Sequence, residues 1–162
     1  MEMARLASLV AATITMGLVS GLFYGFAVSV MPALRRTDDR TVIEVMQRVN
    51  VAILNGWFVL GYIGALLFTG LALLLHVVSA RGAVLVPLVG AFVCYLASMA
   101  VTGRVNIPLN NALEKAGPVA GIADPAAVRR AFEGPWVRAN VGRTLLCTAA
   151  TGLLAWALAL TP

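Results

Sequence analysis

Residues 6–30 read LASLVAATITMGLVSGLFYGFAVSV, twenty-five positions without an Asp, Glu, Lys, Arg or His. A helix needs about 20 apolar residues to cross a hydrocarbon core roughly 30 Å thick. Stretches of the same character lie at 51–75, 83–103 and 144–160. The expected spans are therefore residues 6–30, 51–78, 83–104 and 136–160, with polar connections at 31–50 and 105–135. With 60% hydrophobic residues, 12% charged residues and a mean hydropathy of +0.91, the chain lies far outside the range of soluble domains. Backbone groups in lipid must pair within their own segment, so the spans are helices. The expected fold is all-α: an integral membrane four-helix bundle forming one domain over residues 1–162. The length of the first stretch, the single Arg5 before it and the poor cleavage site at 27–33 argue against a cleaved leader.

Working outward, ten basic residues fall in the two long connections and their flanks: Arg35, Arg36, Arg40 and Arg48, then Arg104, Lys115, Arg129, Arg130, Arg138 and Arg143. Only Arg5 and Arg81 fall on the other side. This asymmetry predicts cytoplasmic connections and both termini outside, and the small, Ala-, Leu- and Arg-rich chain suggests a bacterial inner membrane as the location. The net charge of +5 reads as topology and contact with anionic membrane lipids. No basic patch interleaved with aromatics suggests nucleic acid.

The halves of the chain look alike. Met31-Pro32 ends the first span, and a polar segment capped at Thr37 or Asp38 leads through Arg48-Val49-Asn50-Val51 into the second. Ile107-Pro108 ends the third, and a segment capped at Asp124, with Pro125 at its first helical position, leads through Arg138-Ala139-Asn140-Val141 into the fourth. This suggests a degenerate duplication of a two-helix unit about an axis along the membrane normal. Gly17, Gly21 and Gly25 on the first span, with Gly56, Gly61 and Ala65 on the second, are the expected sites of close helix packing.

Candidate chemistry gathers at one membrane depth, in Asn106, Asn110, Asn111, Trp136, Asn140 and Arg143. Trp136, Asn140 and Arg143 are spaced i, i+4, i+7 and share a helix face. Gly134 and Pro135 are expected to restart the helix, leaving unpaired N–H groups beside Arg138 that could hold a phenolate, enolate or carboxylate. Gln47, Asn50 and Trp57 would supply the other half of a pocket. A second reading gives the amides to helix caps and cross-helix bonds, Arg143 to headgroup phosphates and Trp136 to an interfacial belt. One histidine, His76, and two intramembrane cysteines, Cys94 and Cys147, form no standard metal or redox site, so no metal or other cofactor is expected. The spans hold no Asp or Glu to carry a coupled proton.

The run Asn106-Ile107-Pro108-Leu109-Asn110-Asn111, followed by Trp136, Asn140 and Arg143, with Gly21, Gly25 and Pro32 around the first span, resembles the anthrone oxygenase-like family of small four-helix membrane proteins. The resemblance covers essentially the whole chain. It implies an oxidoreductase that converts an anthrone to an anthraquinone with O2 and no cofactor. Deprotonation of the methylene would give an enolate able to pass an electron to oxygen. Arg143, Asn140 and Asn106 would steady the oxyanion and Trp136 would stack on the polycycle, with Asn50, Asn110, Asn111 and Arg138 as further binding residues. The base is missing. His76 lies roughly 30 Å away along its helix, and Glu44, Glu114, Asp124 and Glu133 read as solvated or capping groups. The alternative to an enzyme binding a hydrophobic small molecule is a non-enzymatic membrane subunit or lipid-binding protein whose polar loops dock a partner. A homo-oligomer and a second membrane subunit both stay open.

Overall fold

The structure, a computed structural model, describes residues 1–78 and 82–161, so the Arg81 used in the charge count lies outside the described residues. Those residues form an all-α bundle without strands. We number five helices: α1 (Glu2–Leu34), α2 (Asp39–Ala52), α3 (Gly56–Val77), α4 (Gly82–Lys115) and α5 (Pro125–Ala159). All but α2 are long and apolar enough to cross a membrane. Only 22–39% of the most apolar window of each lies inside the bundle, which leaves apolar exteriors such as Leu67, Leu74, Val86 and Leu145 that suit lipid rather than water. The spanning helices form a ring in which α1 packs on α3 and α5, α4 packs on α5, and the α3–α4 seam is the slightest. Leu9, Met16 and Phe23 of α1 meet Ala65, Ala72, Leu88, Tyr95, Ala150 and Leu154 in the core.

Each half repeats one local device. In α1 the residues Phe26–Val30 widen into a π turn, and Met31 N–H reaches back five residues to the Phe26 carbonyl. In α4 the residues Thr102–Asn106 do the same, and Ile107 N–H reaches the Thr102 carbonyl. Pro32 and Pro108 follow directly. Proline lacks the N–H for an i−4 bond and its ring clashes with that carbonyl, and the wider turn relieves both while the helix continues.

The connections lie side by side at one end of the bundle. Met31, Leu34, Ile43 and Met46 bury against Leu113, Phe132 and Trp136 in a second core. Polar latches hold it. Arg129 donates to the Thr37 carbonyl (2.9 Å), Asp39 (3.0 Å) and Glu133 (2.6 Å). Arg40 donates to the Val119 and Ile122 carbonyls, and Gln47 to those of Leu113 and Gly117. Asp38 caps α2 through Thr41, whose hydroxyl and amide hold the Asp38 carboxyl below the usual carboxylate range. Asp124 caps α5, with Pro125 at its first position.

Three expectations are corrected. Gly134 and Pro135 do not restart a helix, because α5 runs unbroken from Pro125 to Ala159 with Pro135 inside it. Phe132 and Trp136 on either side of the proline are anchored in the second core, so packing overrides the lost bond. No helix N-terminus therefore stands beside Arg138. Of the α1 glycines, Gly17 faces Thr151 of α5, where a Cβ would stand at 4.0 Å, but Gly21 and Gly25 do not carry the packing. A Cβ at Gly21 or Gly25 would meet nothing within 4 Å, whereas one at Gly90 would stand 3.1 Å from Leu153. Finally, α3 begins at Gly56 rather than near 51, because Asn55 accepts the Phe58 N–H (3.1 Å) and caps a fresh helix after a break at 53–55.

Candidate functional site

The two π turns face a partly enclosed cavity of about 260 Å³ in the polar-end half of the bundle. Phe23 and Phe26 of α1 form one wall, Phe58 and Tyr62 of α3 a second, Thr102 and Asn106 of α4 a third, and Trp136 and Arg143 of α5 a fourth. Asn50, Ile53 and Leu54 at the α2–α3 break, with Ile107 and Asn110, close it on the side of an outer groove of about 610 Å³. Lining of this kind, mostly aromatic and aliphatic with a few convergent polar groups, is typical of small-molecule sites.

Arg143 dominates the electrostatics. It is 8% exposed, and its Nε and Nη2 donate to the Asn140 side-chain oxygen at 3.1 and 2.9 Å. Its guanidinium lies 3.9 Å from the Phe23 ring centre and 5.3 Å from that of Trp136. The ion pairs among the described residues involve other arginines, so no carboxylate neutralises this buried cation. Asn140 donates its own N–H to the Phe23 carbonyl (3.1 Å), tying α5 to α1 just before the π turn. Trp136 Nε1 donates to Asn110 (2.8 Å), and Asn106 donates weakly to the Trp136 carbonyl (3.4 Å). That bond fixes which way the Asn106 amide faces, because the flipped amide would oppose two carbonyl oxygens. Two buried polar atoms on the cavity wall are left without partners, the Asn50 side-chain nitrogen and the Asn106 side-chain oxygen. Orphans of this kind are rare and costly.

The structure gathers Asn50, Asn106, Asn110, Trp136 and Arg143 around one cavity. Asn140 stands behind Arg143, fully buried, and Asn111 lines the outer groove beside Asn110 and Glu114. Arg138 is exposed and lines neither. Gln47 turns to the end of α4, and Trp57, 86% exposed, points away from the cavity. Five of the wall residues named above escaped the sequence reading: Phe23, Phe26, Phe58, Tyr62 and Thr102. The i, i+4 spacing of Phe58 and Tyr62 was the available signal, and their rings stack at 5.3 Å. The Tyr62 carbonyl accepts the Tyr95 hydroxyl (2.6 Å), and the Thr102 hydroxyl donates to the Ser98 carbonyl (3.0 Å). His76 is buried in the last turn of α3, at the opposite end. Among the carboxylates, Glu44 pairs with Arg48, Glu133 with Arg129 and Arg35, and Asp124 caps α5. Glu114 lines the outer groove.

A cation without a counter-ion, two unpartnered amide atoms and aromatic side chains thus share one cavity in a bundle whose long apolar helices suit a membrane. The profile of the anthrone oxygenase family matches residues 55–153, well over half of the chain, and the chain belongs to that family. No curated protein and no solved structure matched it.

Proposed function

We propose that the cavity binds a flat phenolic, anthrone or quinoid molecule and that a bound anthrone-like enolate is oxidised there by O2 without a cofactor. The observation that carries this reading is the uncompensated Arg143 guanidinium facing the same space as the Asn50 nitrogen and the Asn106 oxygen. A ligand oxygen bearing negative charge satisfies Arg143 and Asn50, and a ligand hydroxyl satisfies Asn106. Phe23 and Trp136 supply faces for the rings.

In this reading the site favours the enolate over the neutral ketone, which raises the acidity of the methylene. Its proton leaves through the groove past Glu114, the carboxylate that lines the way out. The enolate passes one electron to O2, the radical and superoxide combine at the former methylene carbon, and the hydroperoxide loses water. The balance is CH2 plus O2 to C=O plus H2O. Asn140 is a positioning residue that holds Arg143, and Asn110 positions Trp136.

The polar end carrying the connections faces the cytoplasm of a bacterial inner membrane, with both termini outside. A second reading, a lipid-binding or partner-docking subunit, is favoured by the exposed Arg36, Arg48, Arg130 and Arg138 at that end. Oxygen uptake by membranes supplied with anthrones and hydroquinones decides between them. Uptake above spontaneous autoxidation that is lost in Arg143→Met at equal expression supports the oxygenase, and equal uptake with and without the protein removes it for those substrates.

A further inference from the structure

The cavity and the outer groove share a wall formed by Asn50, Ile53, Leu54, Ile107 and Asn110, so the path out of the site runs sideways between α4 and the end of α2 with the break that follows it. It opens where α4 faces the end of α2 rather than another spanning helix. This is also where the chain breaks between α2 and α3, leaving Leu54 outside any helix. The corresponding stretch of the second half runs unbroken through α5, so a helix of this kind does not need the interruption in order to span. One side of the rim is apolar and uncovered, with Leu54 75% exposed and Val51 and Ile107 also exposed, and Trp57, in the first turn of α3 and lining neither space, is exposed nearby in the sequence. An exposed tryptophan beside aliphatic side chains at the end of a spanning helix suits the boundary of a bilayer.

We propose that this groove is a lateral portal through which the ligand leaves the surrounding lipid leaflet and reaches the cavity, with Leu54 and Ile107 as its gate. The inference rests on the ligand reading above. The occupant is a planar, bilayer-soluble molecule rather than a lipid acyl chain, because the inner cavity holds only about 260 Å³ and ends on Arg143 and the two orphaned amide atoms. A flexible tail would leave those polar groups unsatisfied. Such a molecule concentrates in the leaflet and passes Leu54 and Ile107 at little cost, while a charged or strongly hydrated one would be desolvated between those side chains.

The test uses Trp57→Phe/Trp156→Phe protein in phosphatidylcholine vesicles, which leaves Trp136 in the cavity as the only tryptophan. Anthrone, added anaerobically, serves as the quencher. Quenching should saturate, and its rate should follow the mole fraction of anthrone in lipid at fixed aqueous concentration. Adding Val51→Cys, in the groove but outside the cavity, and alkylating that position with a bulky maleimide should slow quenching at least about tenfold while leaving its final extent unchanged, as expected for a portal rather than a binding group. The same modification at Arg48→Cys, on the solvent side beyond the groove, should change neither. Modified Val51→Cys with an unaltered rate, or a rate that follows aqueous concentration, would overturn the portal while saturable quenching still stood for the ligand site. Absence of saturable quenching in every protein would overturn both.

Discussion

Replacing Arg143 with methionine separates a binding cation from a structural one, because the structure sets the two consequences far apart. The substitution removes two charge-assisted bonds to Asn140, worth roughly 1.5–3 kcal/mol together with the exposure of an unsatisfied oxygen. It also removes the guanidinium from the Phe23 face, a contact worth about 0.5–2 kcal/mol. Against this, a buried cation lacking a carboxylate partner carries a desolvation penalty of several kcal/mol, which disappears with it. Methionine is similar in length and keeps much of the packing on Phe23 and Trp136. The losses and the gain nearly cancel, so the folded protein in detergent should unfold within roughly 5 °C of wild type. Ligand binding should behave differently. A charge-assisted bond to a ligand oxyanion is worth roughly 1.5–3 kcal/mol, a factor of about 10–150 in affinity. Thermal unfolding and anthrone quenching of Trp136 on the same preparation read both. A variant that unfolds about 15 °C lower yet binds with wild-type affinity would refute the reasoning.

Other substitutions probe the supporting structure. Asn140→Ala leaves Arg143 without its acceptor and the Phe23 carbonyl without its cross-helix donor, so it should destabilise by about 3 kcal/mol, more than Arg143→Met, in a thermal unfolding series. Tyr95→Phe removes the donor to the Tyr62 carbonyl and should cost about 1 kcal/mol while broadening the resonances of a labelled Tyr62. The glycines should divide: Gly21→Ala, facing open space, should be neutral or stabilising by up to about 1 kcal/mol. By contrast Gly90→Val, pressed on Leu153, should destabilise by about 1–3 kcal/mol. A monomer that falls apart with Gly21→Ala would mean that another surface covers that face.

The architecture was legible because its causes are local. An uncharged run such as residues 6–30 has one stable conformation in lipid, and Asp38 and Asp124 signal helix starts by chemistry that acts over three residues. The Trp136, Asn140 and Arg143 stripe was legible because spacing along one helix fixes a shared face. Depth within that face was not: Asn140 and Arg143 are three residues apart, yet Phe23 on another helix decides that one is sealed and the other lines the cavity. Pro135 misled because its neighbours are anchored by residues distant in sequence. The π turns ahead of Pro32 and Pro108 had a proline as their only sign, and proline as readily ends a helix as widens one. Gly21 and Gly25 carry a spacing that promises contact, and only the partner helix decides whether contact is made.

The most direct test is an anaerobic absorption spectrum of anthrone titrated with the protein in vesicles at neutral pH. If Arg143, Asn50 and Asn106 hold an enolate, the long-wavelength band of the ionised anthrone should appear in proportion to the protein added and should be absent with Arg143→Met. A bound anthrone that remains the neutral ketone in wild type, or an enolate band that survives in Arg143→Met, would contradict the account.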